Sequence, residues 1–69
     1  MDWPEKLKFV RKIKGMTLRE VENATGISNA YLSQLESGHI KDPSYFKMSQ
    51  LLDFYNLGHE DIFNRSDRG

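Results

Sequence analysis

The sequence predicts an all-α fold, a compact bundle of five helices whose second and third members are joined by a tight turn. Three observations predict it. Apolar residues recur at helical spacing, most clearly at Tyr45, Met48, Leu51, Leu52 and Tyr55, whose offsets of 3, 6, 7 and 10 follow a helical period. Helix-start residues stand at Thr17, Ser28 and Ser44, and helix-stop residues at Gly15, Gly26 and Gly38. No stretch alternates as a strand would, and no repeat or low-complexity segment occurs.

Taken in order, the first helix is expected over about Pro4 to Lys14. Proline is tolerated in a first turn, where its missing N–H has no partner to lose. Leu7, Val10 and the stem of Lys14 share one face, and Gly15 can take the left-handed position that ends the helix. Thr17 begins the second helix. Thr17-Leu-Arg-Glu20 is a capping box, and Met16 and Val21 are spaced as a hydrophobic staple. Gly26 stops this helix and Ser28 caps the third, with Ile27 and Leu32 as a second staple. So short a link forces the two helices to cross steeply. Gly38 ends the third helix, and the loop Gly38-His-Ile-Lys-Asp-Pro43 leads to Ser44, which caps a fourth helix reaching about Tyr55. Asn56 can adopt the left-handed conformation that closes it. A short fifth helix over about His59 to Phe63 can tuck Ile62 or Phe63 onto the core.

With 69 residues the chain makes one domain, expected over residues 1–64, followed by a flexible tail at 65–69. Below about 70–80 residues one core supplies little surplus stability, so local structure must be well specified. There is no cysteine, and His39 and His59 lie far apart, so neither a metal site nor a cofactor is expected. No apolar run approaches the ~18 residues of a membrane span and no signal peptide is visible, which predicts a cytoplasmic protein. Net charge is zero, against the basic balance usual in nucleic-acid binding. The charge is polarised, however: residues 1–19 hold six Lys/Arg against two acids, and residues 20–69 hold four against eight.

The third helix carries the chemistry. On a helical wheel Leu32 and Leu35 face inward with Ile27, while Asn29, Ala30, Ser33, Gln34 and Ser37 face outward. This outer face bears no charge until Glu36, at one side. A helix facing only solvent usually carries Lys and Glu there. Small uncharged polar groups suit base edges instead: Asn and Gln amides pair with adenine, and Ala meets the thymine methyl. The plain alternative is an ordinary polar surface.

These residues resemble the Cro-like and lambda-repressor-like helix-turn-helix domains. The resemblance rests on Arg11 and Gly15, Thr17-Leu-Arg-Glu-Val21, Gly26-Ile-Ser28, Tyr31-Leu-Ser-Gln-Leu-Glu36, Gly38 and Pro43-Ser44, and covers about residues 5–63. It implies a prokaryotic or phage transcriptional regulator, a repressor, reading the DNA major groove as a homodimer on a near-palindromic operator. The resemblance assigns base contacts to Ser28, Asn29, Ala30, Ser33 and Gln34. It assigns phosphate contacts to Thr17, Leu18 through its backbone, Arg19, Tyr31, His39, Lys41 and Ser44. It makes Arg11 and Glu36 a structural ion pair, and puts dimer contacts at Phe54, Asn56, Leu57 and Gly58. Such a domain is either complete or the N-terminal module of a longer regulator.

Two positions depart from the family pattern. Glu22 stands where Ala is usual, so its stem must reach water beside the helix crossing, and Asp42 weakens phosphate attraction in the loop. Trp3, Phe9, Ile13, Phe46 and Phe54 do not all fit one inner face. Either they widen a small core, with Trp3 folded back on the first helix, or they form a dimer or partner surface. The alternative function is accordingly a protein-interaction module of the same fold, an antitoxin or co-regulator subunit. An enzyme is not expected: no close His/acid pair or phosphate-binding glycine loop is present, and Glu60-Asp61 reads as first-turn charge.

Overall fold

A computed structural model describes residues 2–63; the expected tail at 65–69 lies outside them. The described residues form five helices: α1 (Trp3–Ile13), α2 (Leu18–Thr25), α3 (Asn29–Ser37), α4 (Tyr45–Tyr55) and α5 (His59–Ile62). α3 lies centrally, packed against both α1 and α2.

Local chemistry sets the boundaries. Thr17 Oγ1 accepts from the Glu20 N–H at 3.1 Å while the Glu20 carboxylate accepts from the Thr17 N–H at 2.8 Å, so both halves of the capping box close. Ser28 and Ser44 cap α3 and α4 by accepting from the Tyr31 and Lys47 N–H groups. The α2–α3 turn is built around Thr25, whose hydroxyl donates to the Val21 carbonyl at 2.8 Å and accepts from the Ile27 N–H at 3.1 Å. Gly26 sits there at φ +82°, a region costly to any residue with a Cβ. Asn56 ends α4 at φ +62°, with the Leu57 N–H reaching back to the Leu52 carbonyl at 2.8 Å.

The core is Leu7, Val21, Ile27, Leu32, Leu35, Met48, Leu51, Leu52, Tyr55 and Ile62. Two expectations need correction. Lys14 does not join the inner face of α1, because the helix ends at Ile13; the inner position after Leu7 belongs to Arg11. Tyr45 does not join the inner face of α4 and is 75 % exposed. It lies a turn ahead of the first core residue, Met48, and its ring stacks on His59 at 5.1 Å instead. The extra aromatics divide. Trp3 and Phe54 pack partly buried against the core, Trp3 by opening α1 with its ring 5.7 Å from Phe63. Phe9, Ile13 and Phe46 remain exposed. Ile62 is the α5 residue that enters the core, with Phe63 half-buried beside it.

Candidate nucleic-acid interface

The outer face of α3 is held rigidly from both ends and from beneath. Leu32 and Leu35 are fully buried, so the residues opposite them must face outward, and Ala30, Ser33 and Gln34 are exposed. At the far end Arg11 of α1 clamps Glu36: Nε and Nη2 donate to the two carboxylate oxygens at 2.8 and 2.9 Å. Arg11 Nη1 also donates to the Met16 carbonyl at 2.8 Å, which ties the α1–α2 loop to the same pair. The hydrogen bond to Glu36 holds the Arg11 guanidinium protonated above its ordinary range, against the opposing effect of burial. The pair therefore fixes α3 against α1 without placing charge on the outer face.

At the N-terminal end the arrangement differs from a simple outward flank. Asn29 is half-buried, and its Nδ2 donates to Glu22 Oε1 at 2.8 Å. The expectation that Asn29 stands free beside Ala30 is corrected: helices crossing at Gly26 bring the amide against α2. The same contact shows where the Glu22 stem goes at the crossing. Ser28 is exposed, but its hydroxyl oxygen is engaged as the cap of α3.

The residues expected at phosphates lie in two groups. Thr17, Leu18 and Arg19 line one wall of an open hollow of about 600 Å³, with Arg11, Lys12, Gly15, Met16 and Asn29 completing it. Lys12 and Arg19 are exposed there, beside the N-terminus of α2. The N–H of Thr17 is already donated to Glu20. On the other side Tyr31, half-buried, accepts from the Ser44 N–H through its hydroxyl at 3.0 Å. His39, Lys41 and Ser44 are exposed along the loop, and the His39 ring is 2.6 Å from the Ser37 hydroxyl. Tyr31 thus anchors the start of α4 to α3.

Sequence reasoning passed over Lys12 and Lys47. Lys47 Nζ lies 4.7 Å from the centre of the Tyr31 ring, a cation–π contact. No sequence signal joins residues sixteen apart on different helices; Lys12 was legible as part of the basic first segment.

Phe54 and Leu57 are partly buried, Gly58 is half-buried, and Asn56 is exposed. Leu57 and Tyr55 line a shallow apolar groove of about 190 Å³ with Phe9, Val10, Ile13 and Lys14. Among the described residues no helix is long and apolar enough to cross a membrane, and no cluster of metal-ligating side chains occurs.

Comparison with known proteins agrees with this geometry. The family model described as a helix-turn-helix domain matches residues 5–68. The chain belongs to the helix-turn-helix domain family. This helix-turn-helix chain is 33 % identical over 58 residues to a Sinorhizobium fredii protein named as an uncharacterized HTH-type transcriptional regulator y4dJ, covering 84 % of the chain and 74 % of that protein. It is 43 % identical over 51 residues to the trifunctional NAD biosynthesis/regulator protein NadR of Salmonella typhimurium and of Escherichia coli. That match covers 74 % of the chain but only 12 % of NadR. A glutamine–fructose-6-phosphate aminotransferase of Methanocaldococcus jannaschii is 27 % identical over 62 residues, 90 % of the chain and 6 % of that protein. No solved structure gives a significant match.

Proposed function

We propose that this chain is a sequence-specific double-stranded-DNA-binding transcriptional regulator, acting as a repressor, that reads the major groove with α3. The helix-turn-helix family and the regulator names of its relatives support DNA-binding regulation of transcription. The observation that carries the finer reading is the exposed, uncharged face of Ala30, Ser33 and Gln34 beside a hollow carrying Lys12 and Arg19. In a major groove Gln34 would pair with an adenine edge and Ala30 would meet a thymine methyl. Lys12, Arg19 and the first N–H groups of α2 would hold one phosphate segment, and Lys41 and His39 another.

A homodimer on a near-palindromic operator is part of the reading. Phe54, Asn56, Leu57 and Gly58 would meet their counterparts across a two-fold axis, with Phe9 and Ile13 extending the apolar contact. Half-sites would then lie about 34 Å apart, one DNA turn. Gel shifts on DNA upstream of the chain's own gene test it. Asn29→Ala and Gln34→Ala should each weaken binding to the operator by about five-fold or more, the effect of losing one good base contact. Unchanged binding in both variants rejects this face. A protein-interaction module is the second reading, favoured by exposed Phe9, Ile13 and Phe46. A stoichiometric protein partner recovered without salt-sensitive DNA binding would select it.

A further inference from the structure

The contact between Glu22 and Asn29 assigns a role to a residue outside the recognition helix. An asparagine amide has two unlike ends, an acceptor oxygen and a donor NH₂. Only the donor end can face a carboxylate, and Asn29 Nδ2 lies 2.8 Å from Glu22 Oε1. Glu22 therefore removes the amide's freedom to flip. The oxygen is turned away from that carboxylate, and one Nδ2 proton is spent. Asn29 also lines the basic hollow at the N-terminal end of α3, the end nearest a docked duplex in the proposed mode. In the major groove adenine and cytosine present an exocyclic amino donor, whereas guanine and thymine present a keto oxygen. An amide held oxygen-outward, backed by a carboxylate, accepts from the first pair and repels the second.

We propose that Glu22 is a positioning residue that locks the Asn29 amide, so that this pair selects an amino-bearing base, adenine or cytosine, at one position of each half-site. The inference rests on the operator-reading function above. The contact joins α2 to α3 across the Gly26 turn, so it acts where the two helices are already fixed by Val21, Ile27 and Leu32. Replacement of Glu22 leaves that core intact, and alanine is the better helix former.

The test is selection from a randomised duplex library with the purified full chain, followed by sequencing of bound DNA. The wild type should favour amino over keto bases at one half-site position by about five-fold or more, and Glu22→Ala and Asn29→Ala should drop that preference below about two-fold, the range one side-chain pair commands. Glu22→Gln keeps the size of the side chain but can offer the Asn29 amide either an acceptor or a donor, so both amides can flip together and the preference should drop here too. Thermal unfolding followed by circular dichroism identifies any variant that fails to fold, and Glu22→Gln then carries the comparison with Asn29→Ala. If Glu22→Ala keeps the wild-type preference, or weakens all duplexes equally with the preference intact, the positioning role is overturned while operator reading stands. If the wild type enriches no sequence, operator reading and this inference fall together.

Discussion

Replacing Glu36 with glutamine changes one oxygen to NH₂ and leaves nearly everything else in place, which makes it the sharpest probe of how α3 is held. Both carboxylate oxygens accept from Arg11, at 2.8 and 2.9 Å, and the two side chains are only 11 % and 8 % exposed. Glutamine would turn a donor toward a guanidinium that has no acceptor, and would strand a nearly buried charge. Removing one member of a buried pair costs about 3–5 kcal/mol. A domain of this size rarely has more than about 3–5 kcal/mol in reserve. Glu36→Gln should therefore be largely unfolded at room temperature, or sit at a much lower urea midpoint. Arg11→Met should also destabilise, by stranding Glu36 and freeing the Met16 carbonyl. The double variant Arg11→Met with Glu36→Leu should recover most of the loss, because apolar groups of similar volume can replace a buried ion pair. Urea titrations report all three, read by circular dichroism and by fluorescence of the single tryptophan, Trp3, whose ring lies against Phe63. A loss below about 1 kcal/mol in Glu36→Gln is the value expected of a solvated surface pair, and it would refute the reasoning.

Two further outcomes follow from local geometry. Gly26→Ala should lower stability by about 1–2 kcal/mol in urea titration, the cost of placing a Cβ residue in the left-handed region; an added Cβ there meets nothing within 4 Å, so Gly26→Asn should recover part of the loss. Burial, reinforced by the charge of Glu36 and opposed by Arg11, pushes the Tyr55 phenol up from 10.0 to about 12. The folded chain therefore resists a deprotonation that the unfolded chain undergoes, so this contribution is whole below pH 10 and disappears as pH rises toward 12. Urea midpoints followed across that window should show a loss of about 2–3 kcal/mol, reduced in Tyr55→Phe.

What the sequence made legible was local. Thr17, Ser28 and Ser44 each cap within three residues, and Gly26, Gly38 and Asn56 each end a helix by their own backbone conformation. Such features do not wait for tertiary structure, so reading them placed α2, α3 and α4. The errors arose where a helix ends or meets another. Tyr45 obeys the period of α4, yet α4 starts beyond the edge of the core, so a periodic position became a surface one. Lys14 obeys the period of α1, but the helix stops before it. Asn29 lies on the outer arc of α3 by any wheel, and only the crossing of α2 brings Glu22 to it. A wheel describes a helix alone; it cannot hold the angle of its neighbour.

The charge pattern around the face bears on how an operator could be read by a neutral chain. Three acids beside α3 are committed within the fold, while Asp42 stands exposed in the loop after it. Glu36 is neutralised by Arg11, Glu20 closes the cap at the positive end of α2, and Glu22 is bonded to Asn29. The cations Lys12, Arg19 and Lys41 stand exposed around the same face. Those few cations give a modest attraction to phosphate, and phosphate neutralisation is the term that supplies non-specific affinity. Under operator reading, discrimination would then depend on base-edge contacts and on apolar pairing of two copies, each of which acts only at a site of the correct sequence and spacing. A low basal affinity for DNA at large is then compatible with selectivity, because selectivity is a ratio between specific and non-specific binding. On this argument the zero net charge that counts against a general nucleic-acid binder suits a regulator that must leave most of the DNA unoccupied.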